Sequence, residues 1–192
     1  MAKLDVVPLT AGRWADFEAL FGKQGACYGC WCTYFRLAPK QRKANSAMDN
    51  KAHIRARIEA GPPPGLIGYL EGEPVAWMQI GPRADVPEFN NAGRVCAPLE
   101  DAPADDPAVW AISCFFTKAP ARGQGFSHPM VAAGIRHACA NGARILEACP
   151  IDRAKQAGSV GLFVGSTGVF EKAGFRQVAL RKEGRPLMRI AL

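Results

Sequence analysis

The stretch PARGQGFS, Pro120 to Ser127, sets two glycines one residue apart, Gly123 and Gly125, directly after the apolar run VWAISCFF and before a helical-looking segment. Glycines so spaced let the backbone bend until successive N–H groups point at one anion, with a helix N-terminus behind them. Arg122 adds positive charge at the rim of such a cradle. The same R-G-x-G pattern also serves ordinary strand-to-helix turns, so taken alone it leaves a phosphate cradle and a plain turn both open.

Two other places could carry chemistry. Glu147 stands mid-strand in ILEACP, where a carboxylate is out of place unless it faces a cleft; burial there raises its pKa towards that of a useful general base. Pairing with a basic residue such as Arg144, or simple exposure, explains it as well. The segment CYGCWCTYFR, Cys27 to Arg36, gathers cysteines and aromatic rings at high density. A zinc site would need Cys27 and Cys30 plus two distant ligands, but no second pair recurs and the nearest histidine is His53, so no metal is expected. Redox pairing of Cys27 with Cys30, a buried aromatic loop with cysteines as filler, and a substrate wall stay open. His128 and His137 read as packing or solvent-facing residues rather than catalysts.

The elements that position these residues follow from periodicity and turn chemistry. Leu4 to Thr10 reads as a strand, and Trp14 to Phe21 as a helix with its apolar residues on one face. Pro39 to Ala60 reads as one polar helix stopped by Gly61-Pro62-Pro63-Pro64. Leu66–Leu70 and Val75–Ile80 form a hairpin about Glu71-Gly72-Glu73-Pro74. Residues 83–107 show no steady period and suit a lid or a substrate wall. Val109–Phe116 is apolar on both faces, as a central strand must be; a helix from Phe126 to Asn141 and a second central strand, Ile145–Cys149, follow. This order implies a right-handed crossover between parallel strands. A short helix over Gly165–Ala173 and a hairpin of Phe175–Arg181 with Pro186–Ala191 close the chain.

Composition bounds the class. A chain of 192 residues with 48% hydrophobic content can bury one full core, and a single domain over residues 1–192 is expected. No apolar run approaches the ~18 residues of a membrane span, and the N-terminus lacks the apolar region of a secretory signal, so a soluble, cytoplasmic protein is expected. Seven cysteines in such a chain read as reduced thiols. The net charge of +7 favours anionic ligands, but the basic residues are scattered, and a solvated face rather than a nucleic-acid surface is the reading adopted.

The order of elements, with its glycine turn after the fourth strand, resembles the GNAT superfamily of acetyl-CoA-dependent N-acetyltransferases, in the style of a bacterial member. The family's cofactor motif, [RQ]-x-x-G-x-[GA], falls on Pro120 to Gly125, and its closing Y-E-K-x-G-F falls on Phe170 to Phe175. The resemblance implies an α/β fold with a mixed, mostly antiparallel central sheet, splayed parallel fourth and fifth strands and flanking helices. It implies acetyl-CoA as co-substrate, held by Phe115, Phe116, Thr117, the Arg122-Gly123-Gln124-Gly125-Phe126-Ser127 turn and Phe170. The reaction implied is direct attack of a primary amine on the thioester, the acceptor being a small molecule or peptide. Trp31, Tyr34, Arg36 and Arg83 become candidates for the acceptor site by their place in such a fold, and a homodimer is compatible with it.

Departures from the pattern shape the expected chemistry. Pro120 stands at the first motif position, and Phe170 replaces the tyrosine that in many members protonates the leaving thiolate. Ser166, Thr167 or a bound water could stand in as donor, or the thiolate could leave with little help, and Glu147 is the expected base. Cys114 or Cys149 as an acetylated nucleophile is a lesser alternative. Loss of the usual tyrosine and of a fourth-strand carboxylate also fits a module that binds coenzyme A without turnover.

Overall fold

A computed structural model describes residues 3–152 and 163–192. Its seven strands are β1 (Asp5–Pro8), β2 (Gly65–Leu70), β3 (Glu73–Pro82), β4 (Val109–Thr117), β5 (Ile145–Ala148), β6 (Arg176–Leu180) and β7 (Pro186–Ala191). They form one sheet in the order β1-β2-β3-β4-β5-β7-β6, in which only β4 and β5 run parallel. The strands apolar on both faces, β3 and β4, sit at its centre because helices cover them on both sides. The β2–β3 turn is tighter than expected: Leu70 already pairs with Glu73, and Glu71 and Gly72 take φ of 52° and 85°. Positive φ at both central residues matches the right-handed twist of the strands.

Among the described residues, five helices flank the sheet: α1 (Trp14–Phe21), α2 (Pro39–Ala44), α3 (Ala47–Ala60), α4 (Ser127–Ala140) and α5 (Thr167–Lys172). The single helix expected over Pro39–Ala60 is thus two. Ser46 breaks it by becoming an N-cap: its Oγ accepts from the Asp49 N–H at 3.2 Å, and the Asp49 carboxylate accepts from the Ser46 N–H at 2.8 Å. This reciprocal capping satisfies donors that a continuous helix would have used internally. From there α3 turns Asn50, Ile54 and Ile58 inward at four-residue spacing.

On one face of the sheet, Phe17, Phe21, Ile54 and Ile58 close over Trp77. On the other, α4 brings Met130 and Val131 against Met78 and Ile112, with Phe170 and Phe175 beside them. Gly134 leaves room for that approach, since a Cβ there would lie 2.5 Å from Met78 Cε and the methionine end would have to move aside. Residues 83–107 form two short 3-10 turns and otherwise irregular chain, as read from sequence. They do not wall the cleft described below. Val86, Phe89 and Cys96 instead cover Ala111, Cys149 and Leu187, and Arg181 ties the segment down through the Val95 and Ala97 carbonyls at 3.1 and 2.7 Å.

Candidate functional site

The site begins with one extra residue. Against β3, Gln79 pairs with Cys114 and Ile80 with Ile112, which leaves Ser113 as a bulge. Bulges bend a strand and increase its twist. Here β4 leaves β5 at that point: their pairing ends at Ile112 with Ala148, while β4 continues beside β3 to Thr117. From Ser113 onward the β5-side edge of β4 is therefore open to other partners. One group on it is already taken, because the Phe115 N–H donates to the Phe163 carbonyl at 2.6 Å.

Beyond the open edge, Ala119–Ala121 makes a 3-10 turn, then Gly123 and Gly125 take φ of 78° and 77° and α4 begins. No side chain caps this helix of 14 residues. Among the described residues, the N–H groups of Gly123 through Ser127 have no backbone partner, whereas that of Arg122 is spent on Ala119 at 3.2 Å. Orphan N–H groups at the positive end of a helix dipole attract an anion. A Cβ at Gly123 or Gly125 would meet nothing within 4 Å, so the turn needs glycine for its backbone angle and not for space. Arg122 folds back to donate from Nε to the Thr117 carbonyl at 3.0 Å, which keeps its charge at the junction.

The open edge and the turn share a cleft of about 1020 Å³. Cys114, Phe115, Phe116 and Thr117 line its floor, Ala121 to Gly123 and Gly125 to Ser127 one end, Gly165 and Ser166 one side, and the cysteine loop with Arg42 and Asn50 the other end. That loop is held by strained backbone: Ala26, Tyr28, Trp31 and Cys32 have φ of 68°, 49°, 45° and 58°. Asn50, buried on α3, anchors it by donating to the Gly29 carbonyl at 3.0 Å. Within it Cys32 receives the Trp77 indole N–H at 3.1 Å and its thiol donates to Gln79 Oε1 at 2.6 Å.

Of the residues expected at the site, Phe115, Phe116, Thr117, Arg122, Gly123, Gly125, Phe126, Ser127, Tyr34 and Ser166 line this cleft. Others do not. Gln124 is exposed and donates to the Pro120 carbonyl at 3.2 Å. Phe170 is fully buried, 6.1 Å from the Phe115 ring and 5.1 Å from that of Phe175. Trp31 is stacked on Phe21 at 5.7 Å, inside the core. Arg36 is buried and donates to the Asp85 carbonyl at 2.9 Å.

Glu147 and Arg83 are the largest departures. Both are wholly buried and bond to each other. Glu147 also accepts from Arg189, its cross-strand neighbour on β7, at 2.9 Å; Arg83 further donates to the Asn90 side chain at 3.0 Å and the Cys96 carbonyl at 2.5 Å. A carboxylate so enclosed has its charge balanced from two sides and no route to the cleft. The cysteines proposed as nucleophiles divide: Cys114 lines the cleft, while Cys149 lies under residues 83–107.

No Asp, Glu or His is among the described residues that line the cleft; its ionisable groups are Cys27, Cys30, Cys32, Cys114, Tyr28, Tyr34, Arg42 and Arg122. Sequence reading missed Arg42, Asn50 and Thr33. Asn50 carried one signal, as a polar residue in register with Ile54 and Ile58.

No protein-family model and no curated protein matches the chain. Solved structures do. A GCN5-related N-acetyltransferase from Kribbella flavida aligns over 98% of this chain and 98% of its own, with 15% identity and a TM-score of 0.55. An N-acetyltransferase from Staphylococcus aureus aligns over 99% of both chains, at 14% identity and 0.54. The diaminobutyrate acetyltransferase EctA from Paenibacillus lautus, solved with L-2,4-diaminobutyric acid and coenzyme A, covers 100% of this chain and 96% of its own at 13% identity and 0.52. With its strand order, its bulged β4 and the parallel pair that parts at Ile112, the protein has the GNAT fold.

Proposed function

We propose that the protein transfers an acetyl group from acetyl-CoA to a primary amine, by direct attack of the amine in a ternary complex. The observation that carries this reading is the continuity of the cleft, which joins the uncapped start of α4 to the open edge of β4 and ends at the cysteine loop. The turn offers unpaired N–H groups to a pyrophosphate. The edge offers backbone pairing to an extended amide-bearing arm, as a sheet edge does to an added strand. Acetyl-CoA supplies the acyl group as a thioester, whose thiolate, far less basic than an alkoxide, leaves with little protonation assistance. That removes the need for a tyrosine at Phe170, with Ser166 at the cleft wall as an available donor.

Calorimetric titration of acetyl-CoA into the protein tests the reading, with Gly125→Trp as control for the cradle. Binding that the control abolishes, followed by thiol release with a panel of amino acids and spermidine, is the expected result. Absence of binding to the wild type would make the turn only a turn.

A second reading is a module that binds coenzyme A without turnover, favoured by Phe170 and by the enclosure of Glu147. Binding without thiol release from any amine would select it.

A further inference from the structure

If the cleft performs acetyl transfer, something in it must take a proton from the acceptor, which is an ammonium at neutral pH. No carboxylate or histidine is among its described lining residues, and the residue types of the undescribed segment, RAKQAGSVGL, include none either. Cysteines and the tyrosines Tyr28 and Tyr34 remain, and one cysteine is set apart by its surroundings.

Cys32 lies at the cleft wall with donors converging on its sulfur. The Trp77 indole N–H reaches it at 3.1 Å, and Cys114 of β4, whose thiol donates to the Phe115 carbonyl at 3.8 Å, lines the same cleft. The Cys32 thiol donates to Gln79 Oε1 at 2.6 Å, while Gln79 Nε2, buried, has no partner among the described residues; with the amide turned over, Nε2 donates to the sulfur instead, the arrangement an ionised Cys32 requires. Arg36 contributes a buried positive charge, and among the described residues its Nε is also without a partner. The backbone of Trp31 and Cys32 is held in the left-handed region to place the thiol there. Such a nest suits an anion better than a neutral thiol.

The charges divide accordingly. Burial opposes ionisation of Cys32 most strongly, but the neighbouring Cys114, the hydrogen bond from Trp77 and the charge of Arg36 together outweigh it and hold the thiol below its usual range. Cys114 is pushed well above it, first by Cys32 beside it and then by burial. Burial, then the Cys32 charge, raises Cys30.

We propose that Cys32 is the catalytic base of the cleft, with Cys114 as its protonated neighbour. This rests on the acetyl-transfer reading. The Cys32 thiolate takes one proton from the acceptor ammonium and becomes a thiol. The freed amine forms a C–N bond with the thioester carbonyl as the C–S bond breaks, and its second proton passes to water. The Cys32 thiol then returns its proton to the departing thiolate, which restores the Cys32 thiolate, and Cys114 keeps its own proton throughout. The balance is one amide, one free thiol and one proton released for each ammonium and thioester consumed.

The test reads charge state separately from turnover. Thiolate ultraviolet absorbance is titrated against pH in the wild type, Cys32→Ser and Cys114→Ala. The expected difference between wild type and Cys32→Ser is one thiolate with a midpoint below ~8.5, the ordinary thiol value, and Cys114→Ala should move it upward. Cys32→Ser should bind acetyl-CoA as the wild type does, yet lose roughly 100-fold or more in thiol release with the best amino acid of the panel, the usual contribution of a general base. A midpoint at or above ~8.5, retained turnover in Cys32→Ser, or an acetyl group found on Cys32 by mass spectrometry would each overturn the base role. Wild-type protein that binds no acetyl-CoA would sink the acetyl-transfer reading and the base role together; turnover without an early thiolate would sink the base role alone.

Discussion

Glu147 and Arg83 form an ion pair with no solvent exposure on either side chain, and Arg189 closes the carboxylate from the other side. Removing one member of a buried pair leaves an uncompensated charge, which costs about 3–5 kcal/mol. Glu147→Gln should therefore lower the unfolding free energy by that amount, read as a lower urea midpoint with the denaturant slope unchanged. Acetyl-CoA affinity should stay within about twofold, since a change under 0.4 kcal/mol is within the ordinary scatter of distant substitutions. A variant as stable as the wild type but slow in turnover would return Glu147 to the mechanism.

That pair also marks the limit of what local sequence conveys. Mid-strand Glu147 is visibly anomalous, but its partners lie 64 residues upstream and 42 downstream, and only the strand order brings them together. The glycine turn is legible because every atom that makes it lies between Thr117 and Ser127. The central strands and both hairpins are legible for the same reason. The helix break at Ser46 was missed because the capping partner is Asp49, where glutamate or glutamine is the usual sign. The role of residues 83–107 depended on where the β5–β7 face is left uncovered, which no periodicity records. Cys32 stood out only as one of a cluster; its distinction comes from Trp77, Gln79 and Cys114 across the sheet.

Asn50 links α3 to the strained loop through the Gly29 carbonyl, and Gly29 itself cannot carry a side chain because a Cβ would come 2.6 Å from that of Ala47. Asn50→Leu leaves that carbonyl unpaired in a buried setting, at a cost of about 1–3 kcal/mol. Hydrogen exchange should rise over residues 25–33 while the sheet stays protected. Exchange that rises evenly over the chain would mean that the bond supports the whole fold instead of the loop.

His137 packs edge-on to Trp110 at 5.8 Å, and burial lowers its pKa. Burial also lowers that of His53, with Arg36 adding to it. In both cases the unfolded chain takes up a proton first as pH falls. The stabilisation is complete above about pH 6.5, the unfolded value, and is lost as pH falls from there through the folded value. Urea midpoints measured across this window should fall with acidification in the wild type and fall less in His137→Gln. Identical slopes in the two proteins would assign the acid sensitivity to His53 or to the carboxylates.

The far end of the cleft carries its own charge preference. Arg42 lies over the Tyr34 ring, 4.2 Å from its centroid, and both line the cleft, in which the described residues include no acidic side chain. A polycationic acceptor would meet Arg42 and Arg122 with nothing to offset them, whereas an amine that also bears a carboxylate gains a charge-assisted bond. Amino acids should therefore outperform spermidine in thiol release under the acetyl-transfer reading. Arg42→Met keeps much of the stem that covers Tyr34 but removes the charge, so KM for the best amino acid should rise about tenfold, as expected for loss of one charged hydrogen bond of 1.5–3 kcal/mol partly screened by water. Because that contact is made equally before and during the reaction, kcat should change little. Spermidine turning over faster than any amino acid, or Arg42→Met leaving KM unchanged, would put the acceptor elsewhere in the cleft.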